Sequence, residues 1–176
     1  MALTAERPTV RILGVDPGLN TTGYGVIEVA QGTVRLCEAG VVRSKGRGPL
    51  ASRLGEIYSG LSEVLSALGP TAMALEQLYS HYDRPRTAIL MGHARGVICL
   101  AGQQAGLEVI HYASTQVKKI LTGNGRAPKA QIQRAIQQEL RLDRCPEPHD
   151  VADALAIALC HYYLNVRPAQ LSRRGA

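Results

Sequence analysis

The sequence predicts an α/β protein built on a mixed five-stranded sheet with helices on both faces. Three observations predict it. Strand-like runs at 10–16, 23–29 and 33–43 open the chain, joined by connections too short for a helix, and so form an antiparallel meander. Two further apolar runs, 71–76 and 107–112, are each reached through a helical pattern and so lie parallel to the first strand. The remaining apolar periodicity steps by three and four residues, the spacing of helices.

Taken in order, "VRILGVD" reads as a strand buried on both faces, through Ile12, Leu13 and Val15. Gly18 to Thr22 and Gln31-Gly32 supply the next two turns. Leu50, Leu54, Ile57, Leu61, Val64 or Leu65, and Leu68 define a helix that Gly69-Pro70 ends. "TAMALEQ" is a short strand closing on Glu76. A long helix occupies about 86–105, and "LEVIHY" is the fifth strand. "STQVKKILT" is a short helix for which Ser114 is the candidate N-cap. The loop Gly123-Asn124-Gly125 leads to a helix near 128–141 with Pro128 in its first turn. After the proline-rich "RCPEPHD" comes a final helix, "DVADALAIALCHYYL".

A chain of 176 residues with 45% hydrophobic residues supports one compact domain, expected over 10–165. Residues 1–9 read as a flexible N-terminus, and 166–176 as a basic, frayed tail. With neither Trp nor Phe, the core must be aliphatic. The net charge of +6 favours a polyanionic partner, nucleic acid first. No run suits a membrane span or a signal peptide, so a cytoplasmic location is expected. Cys37, Cys99, Cys145 and Cys160 lack metal-site spacing, and Cys99 and Cys160 read as buried free thiols, so neither structural zinc nor a disulfide is expected.

The acidic residues carry the chemistry. Asp16 and Glu76 each end an apolar strand; if those strands are parallel neighbours, both carboxylates reach the same sheet edge, where open α/β sheets place their sites. Asp150 and Asp153, three residues apart, share the first turn of an apolar helix that packs on the body of the protein. Each acid alone has a plainer role: a helix-dipole or capping partner for Asp150 and Asp153, a turn residue for Asp16, a salt-bridge partner for Glu76. Their convergence favours a site. Crowded carboxylates raise one another's pKa unless a cation intervenes, and oxygen-only ligands favour Mg²⁺ or Mn²⁺. Four such ligands can hold two ions about 3.5–4 Å apart, an arrangement suited to in-line phosphodiester cleavage. His149 beside them reads either as an auxiliary acid, base or ligand or as a merely exposed histidine at a helix start.

The blocks "ILGVDPGLNTTGYGVI", "ALEQLY", "STQVKKILTGNGRAPKAQIQ" and "DVADALAIALCH" resemble, in order and spacing, the signature blocks of the RuvC Holliday junction resolvases. The resemblance covers about residues 10–165. It implies an RNase H-like fold and a homodimer joined through the 86–105 helix. It also implies a metal-dependent crossover junction endodeoxyribonuclease of homologous recombination and DNA repair. Each protomer would nick one of two opposed strands of a four-way junction, leaving 5′-phosphate and 3′-hydroxyl ends. Matched by position, Asp16, Glu76, Asp150 and Asp153 become the catalytic, metal-holding set, with Mg²⁺ or Mn²⁺ at two ions per site. Some relatives carry His at the position of Asp150. Lys118 and Lys129 match basic residues near the scissile strand, and Tyr79 matches an aromatic that contacts DNA at the crossover. Arg126 joins this DNA-binding set from the glycine loop, where backbone can approach phosphates closely. Lys119 reads as solvated, and 81–87 as a loop that borders the DNA or is merely surface. A RuvA–RuvB branch-migration complex is the implied partner.

Two other readings compete. An actin-like or sugar-kinase-like ATPase also begins with a glycine-flanked Asp, but needs two such domains and leaves the acids of "DVAD" without a role. A junction-binding protein without catalysis would bind after Asp16→Asn and yield no products in Mg²⁺ or Mn²⁺.

Overall fold

The computed structural model describes residues 9–78 and 85–168. Its strands are β1 (Val10–Asp16), β2 (Thr21–Ala30), β3 (Thr33–Arg43), β4 (Ala72–Glu76) and β5 (Val109–Tyr112). Its helices are α1 (Leu50–Leu68), α2 (Pro85–Gln104), α3 (Ser114–Thr122), α4 (Lys129–Glu139) and α5 (His149–His161), the last running on into a π-helical turn, Tyr162–Val166. The five strands form one sheet in the order β3-β2-β1-β4-β5. β1, β2 and β3 pair antiparallel, while β4 pairs parallel with both β1 and β5. The mixed sheet expected from the sequence is therefore the one observed.

Strand alternation sorts the core into two layers. Leu13, Val15, Val26, Met73 and Leu75 face Ile57, Leu61 and Ile98 of α1 and α2. Ile12, Ile27, Ala74 and Tyr112 face α3, α4 and α5 on the other side. Within α5, every residue from Val151 to His161 is buried except Asp153. Large side chains buried in this way, such as Leu155 and Leu159, each stabilise the fold by about 1.5–3 kcal/mol. That anchoring fixes the start of α5 against the sheet. α1 stops where Gly69 turns left-handed, at φ 53°, and donates its N–H to the Leu65 carbonyl at 3.0 Å.

Several boundaries differ from expectation. β2 begins at Thr21 and β5 at Val109. Ser114 is the first residue of α3 and provides no side-chain cap; the cap position is Ala113. Pro128 occupies the cap position of α4 rather than its first turn. Cys160 is buried, but Cys99 is only half-buried. The chain stays helical through 166–168, where fraying was expected, because Tyr163, Leu164 and Val166 pack on the core. Among the described residues, no helix is long and apolar enough to cross a membrane.

Candidate active site

Register places the strand-end acids. β1 and β4 run in parallel register to the pair Val15 and Leu75, so Asp16 and Glu76 follow as the next row of neighbours. In-register residues of adjacent strands share a face, here the face covered by α5. Glu76 is held from both sides of its backbone. The Gln77 N–H donates to the Tyr112 carbonyl at 2.8 Å, and Arg95 of α2 donates through Nε to the Glu76 carbonyl at 3.0 Å.

The helix acids reach the same edge because the sheet is shaved flat beneath α5. Gly14 and Gly25 are register partners, and Gly23 is the partner of Asp16. A Cβ on Gly14 would lie 2.1 Å from the Ala154 carbonyl oxygen, and one on Gly23 would lie 2.1 Å from that of Asp150. A Cβ on Gly25 would meet the Leu155 side chain at 2.5 Å. Only glycine allows so close an approach. Backbone contact at Gly23 seats Asp150 beside Asp16. Asp153, one turn along, faces the cleft over Glu76. The cap position of α5 is Pro148 with no side-chain cap bond, so the first-turn acids do not serve as N-caps.

The electrostatics show a crowded acidic cluster. Asp16 is pushed up to about 8, first by burial, then by the charges of Glu76 and Asp153, a hydrogen bond to Glu76 and the charge of Asp150. Burial also raises Glu76; the bond from Asp16 and the charges of Lys118 and Lys129 oppose the rise. The two carboxyls are linked by a hydrogen bond, and as a pair they hold a proton more readily than isolated carboxyls do. Asp153 is raised by burial and by Asp150, against the pull of Lys129, His149 and Lys118. Among the described residues, no three acid, His or Cys groups converge tightly enough to enclose a metal ion. The four acids share one electrostatic field rather than a closed ligand shell.

This strain has a measurable consequence. Between about pH 4 and 8 the folded state holds a proton on Asp16 that the unfolded chain has released, so this group makes stability fall as pH rises through that window. In chelator at pH 8, Asp16→Asn is expected to stabilise the protein by about 1–3 kcal/mol, discounted because the cleft opens to water. At pH 5 the gain should shrink. Melting curves at both pH values check this.

Basic residues border the acids. Lys129 Nζ lies 3.8 Å from Asp153 Oδ2. Lys118, Lys129 and His149 line one cleft with Glu76 and Asp153. Arg126 sits in the exposed glycine loop, its N–H donating to Asn124 Oδ1 at 2.9 Å, and does not line that cleft. Lys119 is exposed. Tyr79 and positions 81–84 of the adjoining loop lie outside the described residues. Gln133 and Arg95 escaped the sequence reading, and Ser114 entered it only as a helix cap. Gln133 Nε2 lies 3.2 Å from His149 Nδ1, and both Gln133 and Ser114 line the cleft. The helical spacing from Lys129 to Gln133 would have placed the latter on the same face of α4.

Comparison with known proteins points one way. A family model described as "Crossover junction endodeoxyribonuclease RuvC" matches residues 12–161. A crossover junction endodeoxyribonuclease RuvC of Rhodopirellula baltica is 61% identical over 157 residues, covering 89% of this chain and 88% of that protein. One from Halorhodospira halophila is 42% identical over 166 residues, covering 94% and 98%. Among solved structures, T. thermophilus RuvC in complex with Holliday junction substrate superposes with a TM-score of 0.81 at 34% identity, covering 94% of this chain and 96% of that one. The yeast mitochondrial resolvase Ydc2, at 14% identity and a TM-score of 0.66, shares the fold. The RNase H-like α/β architecture expected from the sequence agrees with these matches.

Proposed function

The chain belongs to the RuvC family of crossover junction endodeoxyribonucleases, and we propose that it resolves four-way DNA junctions by nicking two opposed strands, using Asp16, Glu76, Asp150 and Asp153 as a divalent-metal cradle. The observation that carries this reading is the meeting of Asp16 and Glu76 in one row at the sheet edge, with the start of α5 laid over them.

The donor set fits hard cations. It is all carboxylate oxygen, and burial first, then the crowding of like charges, raises the proton affinity of Asp16, Glu76 and Asp153. Mg²⁺ or Mn²⁺, at two ions per site, would supply Lewis-acid stabilisation of charge at the scissile phosphate. The protein's own residues do the rest. The Asp16–Glu76 pair would lose to solvent, on cation binding, the proton that it holds, leaving both carboxylates free to act as ligands. Lys118 and Lys129 hold the scissile phosphate from the far wall of the cleft. Lys129 also favours the ionised form of Asp153, opposing the upward push of burial. Gln133 orients the imidazole of His149 at the cleft mouth, where it can accept or return a proton.

Paired nicking requires two copies. α2 supports the expected homodimer. Ile89 and Leu100 are 61% and 49% exposed on it, and the space beside Gly92 and Gly96 is open, which suits close packing of a second helix. A RuvA–RuvB branch-migration complex is the partner that the family resemblance implies.

Incubation with a mobile synthetic four-way junction tests the reading. The expected result is symmetrical paired nicks in Mg²⁺ or Mn²⁺, ligatable without processing. ATP hydrolysis without DNA cleavage would overturn it.

A further inference from the structure

A second basic surface lies on the opposite side of the acid cluster from Lys118 and Lys129. The row Asp16–Gly23–Val41 crosses β1, β2 and β3, and the row Thr21–Arg43 lies one side-chain repeat beyond it on the same sheet face. Strand spacing and rise place the end of β3 roughly 10–12 Å from Asp16, which a DNA strand covers in a few nucleotides at about 3.4 Å of rise each. Arg43 is followed at once by the loop Ser44–Pro49, which adds Lys45 and Arg47. All three cations are exposed, and among the described residues none is in an ion pair.

The loop is rigidly tied to the turn that follows Asp16. The Ser44 N–H donates to the Asn20 carbonyl at 3.0 Å, and the Ser44 hydroxyl donates to the Leu19 carbonyl. Arg53 of α1 donates to the Asn20 side-chain oxygen and, through Nε, to Ser44 Oγ at 3.4 Å. The Lys45 N–H donates to Glu56 Oε2 at 2.7 Å, and the Gly48 N–H donates to the Lys45 carbonyl at 3.0 Å. Arg53 is thus committed to holding the loop, and Glu56 and Glu63 are the opposing charges that share a groove with Arg43 and Lys45. Three unpaired cations remain on a scaffold fixed to the turn beside Asp16. A mobile loop would lose ordering entropy on binding; this one has already lost it.

We infer that Arg43, Lys45 and Arg47 form a phosphate-binding ledge that carries a junction arm on the β3 side of the acid cluster, while Lys118 and Lys129 hold the strand on the β4–β5 side. This rests on the junction-nuclease reading above. The ledge contacts backbone phosphates and positions the arm without reading its sequence.

The test is junction binding by fluorescence anisotropy in chelator, across about 50–200 mM salt. The variants are the triple Arg43→Ala/Lys45→Ala/Arg47→Ala and the single Arg47→Glu, each checked by its melting curve. The triple variant is expected to bind about tenfold or more weaker, and its slope of log K against log salt should be shallower by about 2–3. Arg47→Glu should weaken binding in the same direction with unchanged melting. Wild-type affinity and slope in both variants would overturn the ledge while wild-type cleavage of the junction leaves the nuclease reading standing. Failure of the wild type to bind or cut a junction would overturn both.

Discussion

Asp16→Asn, Glu76→Gln and Asp153→Asn are each expected to lower junction cleavage by at least about 10²–10³-fold, with junction binding kept within a few-fold. Each substitution preserves shape and removes one anionic oxygen from a site that has few. Asp16 is central because it feels every partner: it is hydrogen-bonded to Glu76 and perturbed by the charges of Glu76, Asp153 and Asp150. The variants should bind DNA because phosphate contacts fall to lysines and arginines, and losing a carboxylate lightens local repulsion. Single-turnover cleavage at saturating enzyme, read beside anisotropy, separates the two effects. Cleavage near the wild-type rate in any of the three would remove that residue from the cradle.

Gly23→Ala is expected to be nearly as damaging without touching a charged group. Its new Cβ would sit 2.1 Å from the Asp150 carbonyl oxygen, and the obstacle is backbone that cannot rotate away. Either α5 lifts, carrying Asp150 and Asp153 off the sheet edge, or β2 bends. Overpacking of this kind costs about 1–3 kcal/mol. A shift of about 1 Å at the acids can cost a further factor of about 10² in rate. Gly55→Ala on α1 is the matched control. Nothing lies within 4 Å of its new Cβ, so stability should hold or rise by about 0.5–1 kcal/mol. If Gly23→Ala cleaves as well as Gly55→Ala, the close seating of α5 does not position the acids.

The fold was legible where one physical signal dominated. β1 is apolar on both faces because both layers cover it, and α1 steps by three and four because only one of its faces is buried. The acids were legible as a group through topology alone: parallel strands put Asp16 and Glu76 on one edge. What held α5 down was not legible. In the sequence Gly14, Gly23 and Gly25 are three glycines in strands; only the antiparallel register aligns them into a floor for the helix. Arg95 was hidden for a similar reason. α2 lacks a clean polar face, and nothing local marks an arginine that reaches back to the carbonyl of Glu76. Ser114 is of a residue type that caps helices, yet the helix starts on it, and it lines the cleft instead. The loop cations at 43–47 drew no notice because their position beside Asp16 depends on the pairing of Arg43 with Thr21.

The central claim is that the four carboxylates are a cradle for divalent ions rather than a structural acid cluster. Titrating Mn²⁺ into the protein bound to a non-cleavable junction, and counting bound ions by electron paramagnetic resonance, tests it most directly. The account predicts about two spin-coupled ions per protomer in the wild type and loss of the coupled signal in Asp16→Asn. An unchanged count and coupling in Asp16→Asn would contradict it.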